Sequence, residues 1–234
     1  MALRKIAFFV EGYTEQQFIK KLLEELFDQR KIAIEIKSIR GGNRVATSYS
    51  TILSADKTDQ TQFYILIYNC NGDSAIKSNI LEQRLNLIEA GYCKIVGLRD
   101  VYPISKSDIF KLRSGLTYGI PQKDLPISFV LSVMEIEGWF LAEETHFQKI
   151  NNLLTVDVIR RDFGIDLSSA NTEDILEAAI LLKRIYQTVG MSYRKEASSI
   201  DRTINALDFT NIYLNVRSRN KSLDTIITEC ELLF

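Results

Sequence analysis

The chain has 234 residues, of which 46% are hydrophobic and 25% are charged, and its 29 basic residues nearly balance 30 acidic ones. These values are typical of one α/β domain, with or without a helical extension, and the overall charge does not indicate nucleic-acid binding, although a balanced protein can still hold a local basic groove. Apolar runs fall short of the roughly 20 residues of a membrane span and the first residues lack a signal-peptide pattern, so we expect a cytoplasmic protein without a membrane partner.

The cysteines and the single histidine limit the kinds of catalytic or metal site that the chain can form. Cys70, Cys93 and Cys230 are widely separated and odd in number, which favours buried, reduced thiols over structural zinc. His146 lies in a polar segment, and we expect it on the surface. A site with two histidines is excluded, so carboxylates, lysine, tyrosine or a bound cation must carry any chemistry. Oxygen-rich sites of this kind suit magnesium, manganese or calcium.

The hydrophobic pattern alternates between strands and helices over the first part of the chain. Short apolar or alternating runs predict strands at 4–10, 32–39, 62–70, 94–98 and 127–133. Helical spacing predicts helices at 14–29, with Thr14 as the N-cap, and at 76–90. Residues 40–44 contain two glycines and predict a loop. Further helical segments are predicted at 172–187, 198–207 and 223–233.

This order of elements predicts an α/β fold with a mostly parallel sheet flanked by helices, and a mainly helical C-terminal part. We place the α/β domain at residues 1–142. The helical C-terminal extension, packed on that domain, is expected at residues 143–234.

Acidic residues follow three of the predicted strands. Glu11 follows the first strand, Asp100 the fourth, and Glu135 and Glu137 the fifth. Because the carboxyl ends of parallel strands meet at one sheet edge, we expect these acids to converge there and to need a divalent cation, Mg²⁺ or Mn²⁺. Each acid also has a simpler interpretation: Glu11 as a solvated loop acid, Asp100 as a helix cap, and one of Glu135 and Glu137 as a first-turn helix acid.

The same segments carry a resemblance. Val10-Glu11-Gly12-Tyr13-Thr14-Glu15 resembles the first motif of Toprim domains, specifically those of OLD-type (overcoming lysogenization defect) nucleases and a related small bacterial Toprim-like family. Arg99-Asp100-Val101-Tyr102-Pro103 and Glu135-Ile136-Glu137-Gly138-Trp139-Phe140-Leu141 resemble the later motifs. The resemblance covers roughly residues 5–142 and becomes more diffuse beyond, where Tyr193-x-Lys195 is similar. It implies a Toprim fold, a divalent-metal site and phosphodiester chemistry on nucleic acid, often in phage defence.

One motif departs from the family pattern. Toprim enzymes generally carry Asp-x-Asp in the second motif, whereas this chain has Asp100-x-Tyr102. Because the second aspartate is missing, Glu135, Glu137 or Asp73 is the candidate replacement as a metal ligand. Whether the protein cleaves nucleic acid is left open.

The leading hypothesis is a Mg²⁺- or Mn²⁺-dependent Toprim-like nuclease acting on phosphodiester bonds of DNA or RNA. The expected metal ligands are Glu11, Asp100, Glu135 and Glu137. Glu11 is the candidate base for an attacking water, and Lys195 or Arg194 would neutralise the scissile phosphate. The expected nucleic-acid contacts are Arg40, Arg44, Arg99, Arg194 and Lys195, each of which can instead be a solvated or ion-paired side chain.

Two alternatives remain open. The first is a catalytically weak or inactive Toprim-like subunit that binds nucleic acid or regulates an ATPase-containing defence complex. The second is an enzyme that hydrolyses free nucleotides or transfers their phosphates with the same acids. The partners implied by these hypotheses are a nucleic acid, an ATPase partner protein and, for a homo-oligomer, a second copy of the chain.

Overall fold

The computed structural model describes residues 3–42 and 45–232 and shows an α/β protein. Its six-stranded sheet has the order β3-β2-β4-β1-β5-β6. The strands are β1 (Arg4–Val10), β2 (Ile32–Gly42), β3 (Val45–Leu53), β4 (Phe63–Asn69), β5 (Lys94–Asp100) and β6 (Ile127–Ser132). Strand β1 is parallel to both β4 and β5, β2 is parallel to β4, and β3 is antiparallel to β2. The predicted α/β class with a mostly parallel sheet is therefore confirmed.

Helices follow β1 and β4 and make up most of the chain after β6, as predicted. They are α1 (Tyr13–Leu26), α2 (Ala75–Glu89), α3 (Ile109–Thr117), α4 (Glu137–Ala142), α5 (His146–Ile150), α6 (Val156–Phe163), α7 (Ala178–Gln187), α8 (Ala197–Ala206), α9 (Phe209–Leu214) and α10 (Lys221–Glu231). Short 3-10 turns lie at Lys106–Asp108, Thr172–Asp174 and Val216–Arg219. Over the described ranges, none of the helices has the length and apolar character needed to cross a membrane.

The chain forms two compact units. The first contains Met1–Arg99, Ser107–Leu131 and Glu229–Phe234, and the second contains Asp100–Lys106 and Ser132–Thr228. The domain boundary at residue 142 stays a prediction.

The core of the first unit is built around β1, whose residues from Ile6 to Val10 are all fully buried. Phe18 of α1 and Ile80 of α2 are fully buried in the same unit. Each such side chain contributes roughly 1.5–3 kcal/mol by leaving water. The continuous apolar run of β1 is what a strand buried on both faces requires, which is why the sequence identified it.

Residues 40–44 do not form the predicted loop over their described part. Arg40, Gly41 and Gly42 belong to β2, and Asn43 and Arg44 lie outside the described residues. Gly41 has a φ of +99°, and a methyl group there would come within 2.4 Å of the Ala46 carbonyl oxygen. Glycine is required at this point because β2 approaches the backbone of β3 closely where their register shifts.

The start of α1 also differs from the prediction. The N-cap is Gly12 rather than Thr14, and the Gly12 N–H donates to Oε2 of Glu15 at 2.9 Å. A carboxylate three residues into the helix thus satisfies a backbone donor that the Thr14 assignment would have left to another group. Glu15 is buried in this position.

His146, expected on the surface, is completely buried in the second unit. Its ring lies against Phe147, with centroids 4.0 Å apart, and its Nδ1 contacts the Glu143 carbonyl oxygen at 2.5 Å. Burial lowers the pKa of His146 from 6.5 to about 4, so the ring is neutral and Nδ1–H is the donor. The surface prediction was wrong because the polar neighbours in sequence do not determine which face of a short helix is packed.

The cysteine prediction is confirmed for two positions and wrong for one. Cys70 and Cys230 are buried and reduced, whereas Cys93 is reduced but exposed. Cys93 lies just before β5, outside the apolar run that forms the buried strand.

Candidate active site

The turn between β6 and α4 carries the acidic motif and is held by the chain that follows β5. Met134 adopts a φ of +64°, which non-glycine residues rarely do. The Tyr102 N–H donates to the Met134 carbonyl at 2.7 Å, and the Ile136 N–H donates to Oδ1 of the buried Asp100 at 3.1 Å. Asp100 therefore fixes the backbone between Glu135 and Glu137.

Two carboxylates and one ammonium group form the centre of the site. The Nζ of Lys195 lies 3.5 Å from Oε1 of Glu135 and 3.5 Å from Oε1 of Glu137. The second oxygen of Glu135 accepts the Ala179 N–H from α7 at 3.0 Å. Glu135 is thus fixed by a backbone donor on one side, and both carboxylates face the same cation on the other.

Glu137 is the most perturbed group of the site. It is completely buried, and its Oε1 accepts the Tyr193 hydroxyl at 2.8 Å. Its Oε2 is also buried and has no hydrogen-bond partner among the described residues. Burial raises the pKa of Glu137, the nearby charge of Glu135 raises it further, and Lys195 and the Tyr193 hydroxyl oppose the rise. An unsatisfied carboxylate oxygen in a dry interior is costly unless a proton or a cation joins it.

The structure brings only part of the predicted acid set together. Glu135 and Glu137 share Lys195, and Asp100 is one hydrogen bond away through Ile136. Glu11 belongs to the first unit, where it follows β1 and its carbonyl accepts the Gly72 N–H at 2.9 Å. Its convergence with the other acids stays a prediction. Within the described ranges, no group of three or more His, Cys, Asp and Glu side chains is arranged to hold a metal ion.

The predicted nucleic-acid contacts have different surroundings. Arg40 is exposed near the end of β2, and Arg44 lies outside the described residues. Arg99 in β5 forms an ion pair with Asp73 at 2.6 Å, and the Arg99 side chain is only 13% exposed. Arg99 therefore binds a protein carboxylate in this structure, and Asp73 is engaged in the same ion pair. The side chains of Arg194 and Lys195 are 66% and 53% exposed. Of the predicted cations, Lys195 combines contact with the acids and access to solvent.

Sequence reasoning assigned no role to two groups that shape the site, the Tyr193 hydroxyl as a partner of Glu137 and the Ala179 amide as a partner of Glu135. Tyr193 and Lys195 are two residues apart in a segment without helix, and this spacing places side chains on one side of an extended chain. That spacing was a usable signal. A backbone amide has no signature in the sequence.

No family model, no curated protein and no solved structure matches the chain. The Toprim resemblance therefore depends on the motif residues alone.

Proposed function

We propose that the chain is a Mg²⁺- or Mn²⁺-dependent, Toprim-like nuclease of the bacterial cytoplasm that cleaves phosphodiester bonds of nucleic acid in phage defence. The observation that carries the proposal is Oε2 of Glu137, a buried carboxylate oxygen without a hydrogen-bond partner in the described part of the chain. It belongs to a pair of carboxylates already arranged around one positive charge.

The donor set fits a magnesium ion. Magnesium is commonly bound by one or two carboxylates, with waters and substrate phosphate completing its shell. Glu135 and Glu137 would hold it, and Asp100 is the third candidate. When bound, the ion would neutralise phosphodiester oxygens and make a water acidic enough to act as nucleophile.

The protein side chains have separate tasks in this proposal. Tyr193 and the Ala179 amide keep the two carboxylates oriented through Glu137 Oε1 and Glu135 Oε2. Lys195 has a side chain that is 53% exposed, so its ammonium group can turn from the carboxylates to a phosphate at the surface. Charge on the substrate would then replace the carboxylates as its partner.

Cleavage assays with conservative variants test the proposal. The chain is incubated with labelled single- and double-stranded DNA and RNA, and with free nucleotides, in MgCl₂, in MnCl₂ or in EDTA. We expect metal-dependent cleavage of a nucleic acid, and Glu137→Gln and Asp100→Asn should reduce it at least about 100-fold, since even outer-shell partners of a metal cost 10–100-fold. Glu89→Gln, at an exposed position of α2, is the matched control and should retain the wild-type rate.

Calorimetric titration with MnCl₂ provides a readout independent of turnover. Wild type should bind Mn²⁺, and Glu137→Gln should weaken that binding while circular dichroism shows an unchanged fold. If Glu137→Gln cleaves at the wild-type rate, or if it binds Mn²⁺ as tightly as wild type does, the site is assigned to the wrong residues. Cleavage of free nucleotides alone would favour the nucleotide-hydrolysing alternative.

A second candidate function is favoured by the Lys195 ammonium, which already lies 3.5 Å from both Glu135 and Glu137 and balances one of their two negative charges. Together with Tyr102 at the position of the second family aspartate, this arrangement suits an inactive Toprim-like subunit that binds nucleic acid or an ATPase partner. Such a protein would bind nucleic acid with the same affinity in EDTA and in MgCl₂ and would show no cleavage in either.

A further inference from the structure

A cavity of about 760 Å³ lies in the second unit. Its walls come from three segments: residues 102–106 after β5, Met134 in the turn after β6, and residues 175–184 at the beginning of α7. All three are close in space only because the chain folds back after β6, so the cavity is a product of the tertiary structure.

Several large apolar side chains of the cavity wall are exposed. Leu176 and Ile180 are 59% and 49% exposed, and Tyr102 is 45% exposed. Exposed apolar groups that line a common cavity favour a ligand with a flat or apolar part. An accessible tyrosine ring can in addition stack on a nucleobase, since every base has a π-face.

The charged residues of the wall are mainly cationic. Lys106 and Arg184 line the cavity together with one acid, Glu177. Lys106 is anchored by Asp174 at 2.6 Å, and the Arg184 guanidinium lies 5.5 Å from the centre of the Phe163 ring. Arg184, together with Lys106 once a phosphate replaces its exposed partner Asp174, would place positive charge beside the apolar wall, which suits a ligand that joins a flat group to a phosphate.

The cavity adjoins the carboxylate and lysine cluster. The Tyr102 N–H binds the Met134 carbonyl, and Met134 immediately precedes Glu135. On the other wall, the Ala179 N–H binds the Glu135 carboxylate at 3.0 Å. A ligand in the cavity would therefore lie beside the proposed reacting site.

We propose that this cavity binds one nucleotide unit of a nucleic-acid strand, with its base against Tyr102, Leu176 and Ile180 and its phosphate towards Lys106 and Arg184. The inference depends on the proposed function for its ligand class, because the strand is the substrate of the neighbouring site. The cavity then positions the strand through a base, independently of sequence, while Lys195 engages the backbone.

Binding measured in EDTA separates this inference from catalysis. Fluorescence anisotropy compares a labelled twelve-nucleotide thymidine strand with a strand of the same length made of abasic units. The two strands carry equal phosphate charge, so their electrostatic binding is equal. We expect the thymidine strand to bind wild type about 10-fold more tightly, which is the size of one base stacking on an aromatic side chain.

Variants assign the difference to the cavity. Tyr102→Ala should remove most of the preference for the thymidine strand, Tyr102→Phe should retain it, and Leu176→Ala should reduce it. Leu153→Ala is the matched control, because Leu153 is 65% exposed but does not line the cavity. Circular dichroism melting confirms that each variant is folded.

Three binding outcomes would overturn the inference. Equal affinity for both strands in wild type, or a Tyr102→Ala variant that weakens both strands equally, means that no base enters the cavity. If thymidine monophosphate competes as well as an unlabelled strand, the occupant is a free nucleotide. Cleavage in MgCl₂ without a base preference would overturn this inference alone, whereas a base preference without cleavage would overturn only the nuclease function.

Discussion

The buried histidine makes the stability of the protein depend on pH in a predictable direction. His146 has a pKa of about 4 in the folded chain because burial disfavours its charged form, against 6.5 as its ordinary value. Below pH 6.5 the histidine of the unfolded chain therefore binds a proton, whereas the histidine of the folded chain stays neutral until about pH 4. The stability from this residue is present above pH 6.5 and is lost as the pH falls towards 4.

The magnitude follows from these two values. At pH 5 the histidine of the unfolded chain is almost fully protonated and that of the folded chain is mostly neutral. Linkage then gives a loss of about 2 kcal/mol between pH 7.5 and pH 5. Replacing His146 by Asn removes the titration and keeps a donor near the Glu143 carbonyl oxygen, which Nδ1 contacts at 2.5 Å.

Urea unfolding of wild type and His146→Asn at pH 7.5, 6 and 5 measures this loss. Burial raises the pKa of Glu137 and of Glu143, so these groups favour folding as the pH falls and oppose the histidine in wild type. Both are present in the variant, as is the nearby Lys149, and their contributions largely cancel in the difference between the two proteins. The gap between the two unfolding free energies should change by about 2 kcal/mol in favour of the variant. A gap that is constant with pH would refute the reasoning.

Two further predictions concern local packing and charge. Gly41→Ala should cost about 1 kcal/mol or more beyond Gly91→Ala in thermal unfolding, because both positions have a positive φ but only the first would place a methyl group 2.4 Å from the Ala46 carbonyl oxygen. Equal losses of stability in the two variants would show that the contact with the Ala46 carbonyl oxygen is not the cause. Lys195→Met should raise the pKa of Glu137 further, since the ammonium opposes the effect of burial. Carbon NMR of the labelled carboxyl group measures it, and an unchanged pKa would show that the two groups do not interact.

The strands that the sequence predicted and the one it missed differ in their environment. Runs such as those of β1 and β4 are buried on both faces, and a continuous apolar stretch marks them without further information. Strand β3 lies at the edge of the sheet and pairs only with β2, and its residues Tyr49 and Ile52 are exposed. Two polar residues, Ser50 and Thr51, separate these side chains, so β3 lacks both a continuous apolar run and a regular alternation, and its strand character depends on the antiparallel partner β2.

The candidate site was predictable only where its members are close in sequence. Glu135 and Glu137 were expected to converge at one sheet edge, and both do contact the same lysine. The contacts from Ala179, Tyr193 and Lys195 span 44, 56 and 60 residues. Such contacts depend on how the helices after β6 pack, which local periodicity does not encode. Lys195 was singled out both by the family resemblance and as a basic residue beside Arg194, without its acidic partners.

The three cysteines differ in the solvent access of their thiols in the folded protein. Cys93 is exposed, whereas Cys70 and Cys230 are buried. Burial raises the pKa of Cys70 to about 12 and raises that of Cys230 as well, so neither forms the reactive thiolate near neutral pH. An alkylating reagent in solvent therefore meets one thiol in the native chain and three in the open chain. The number of labels per molecule, one or three, therefore reports whether that molecule has opened.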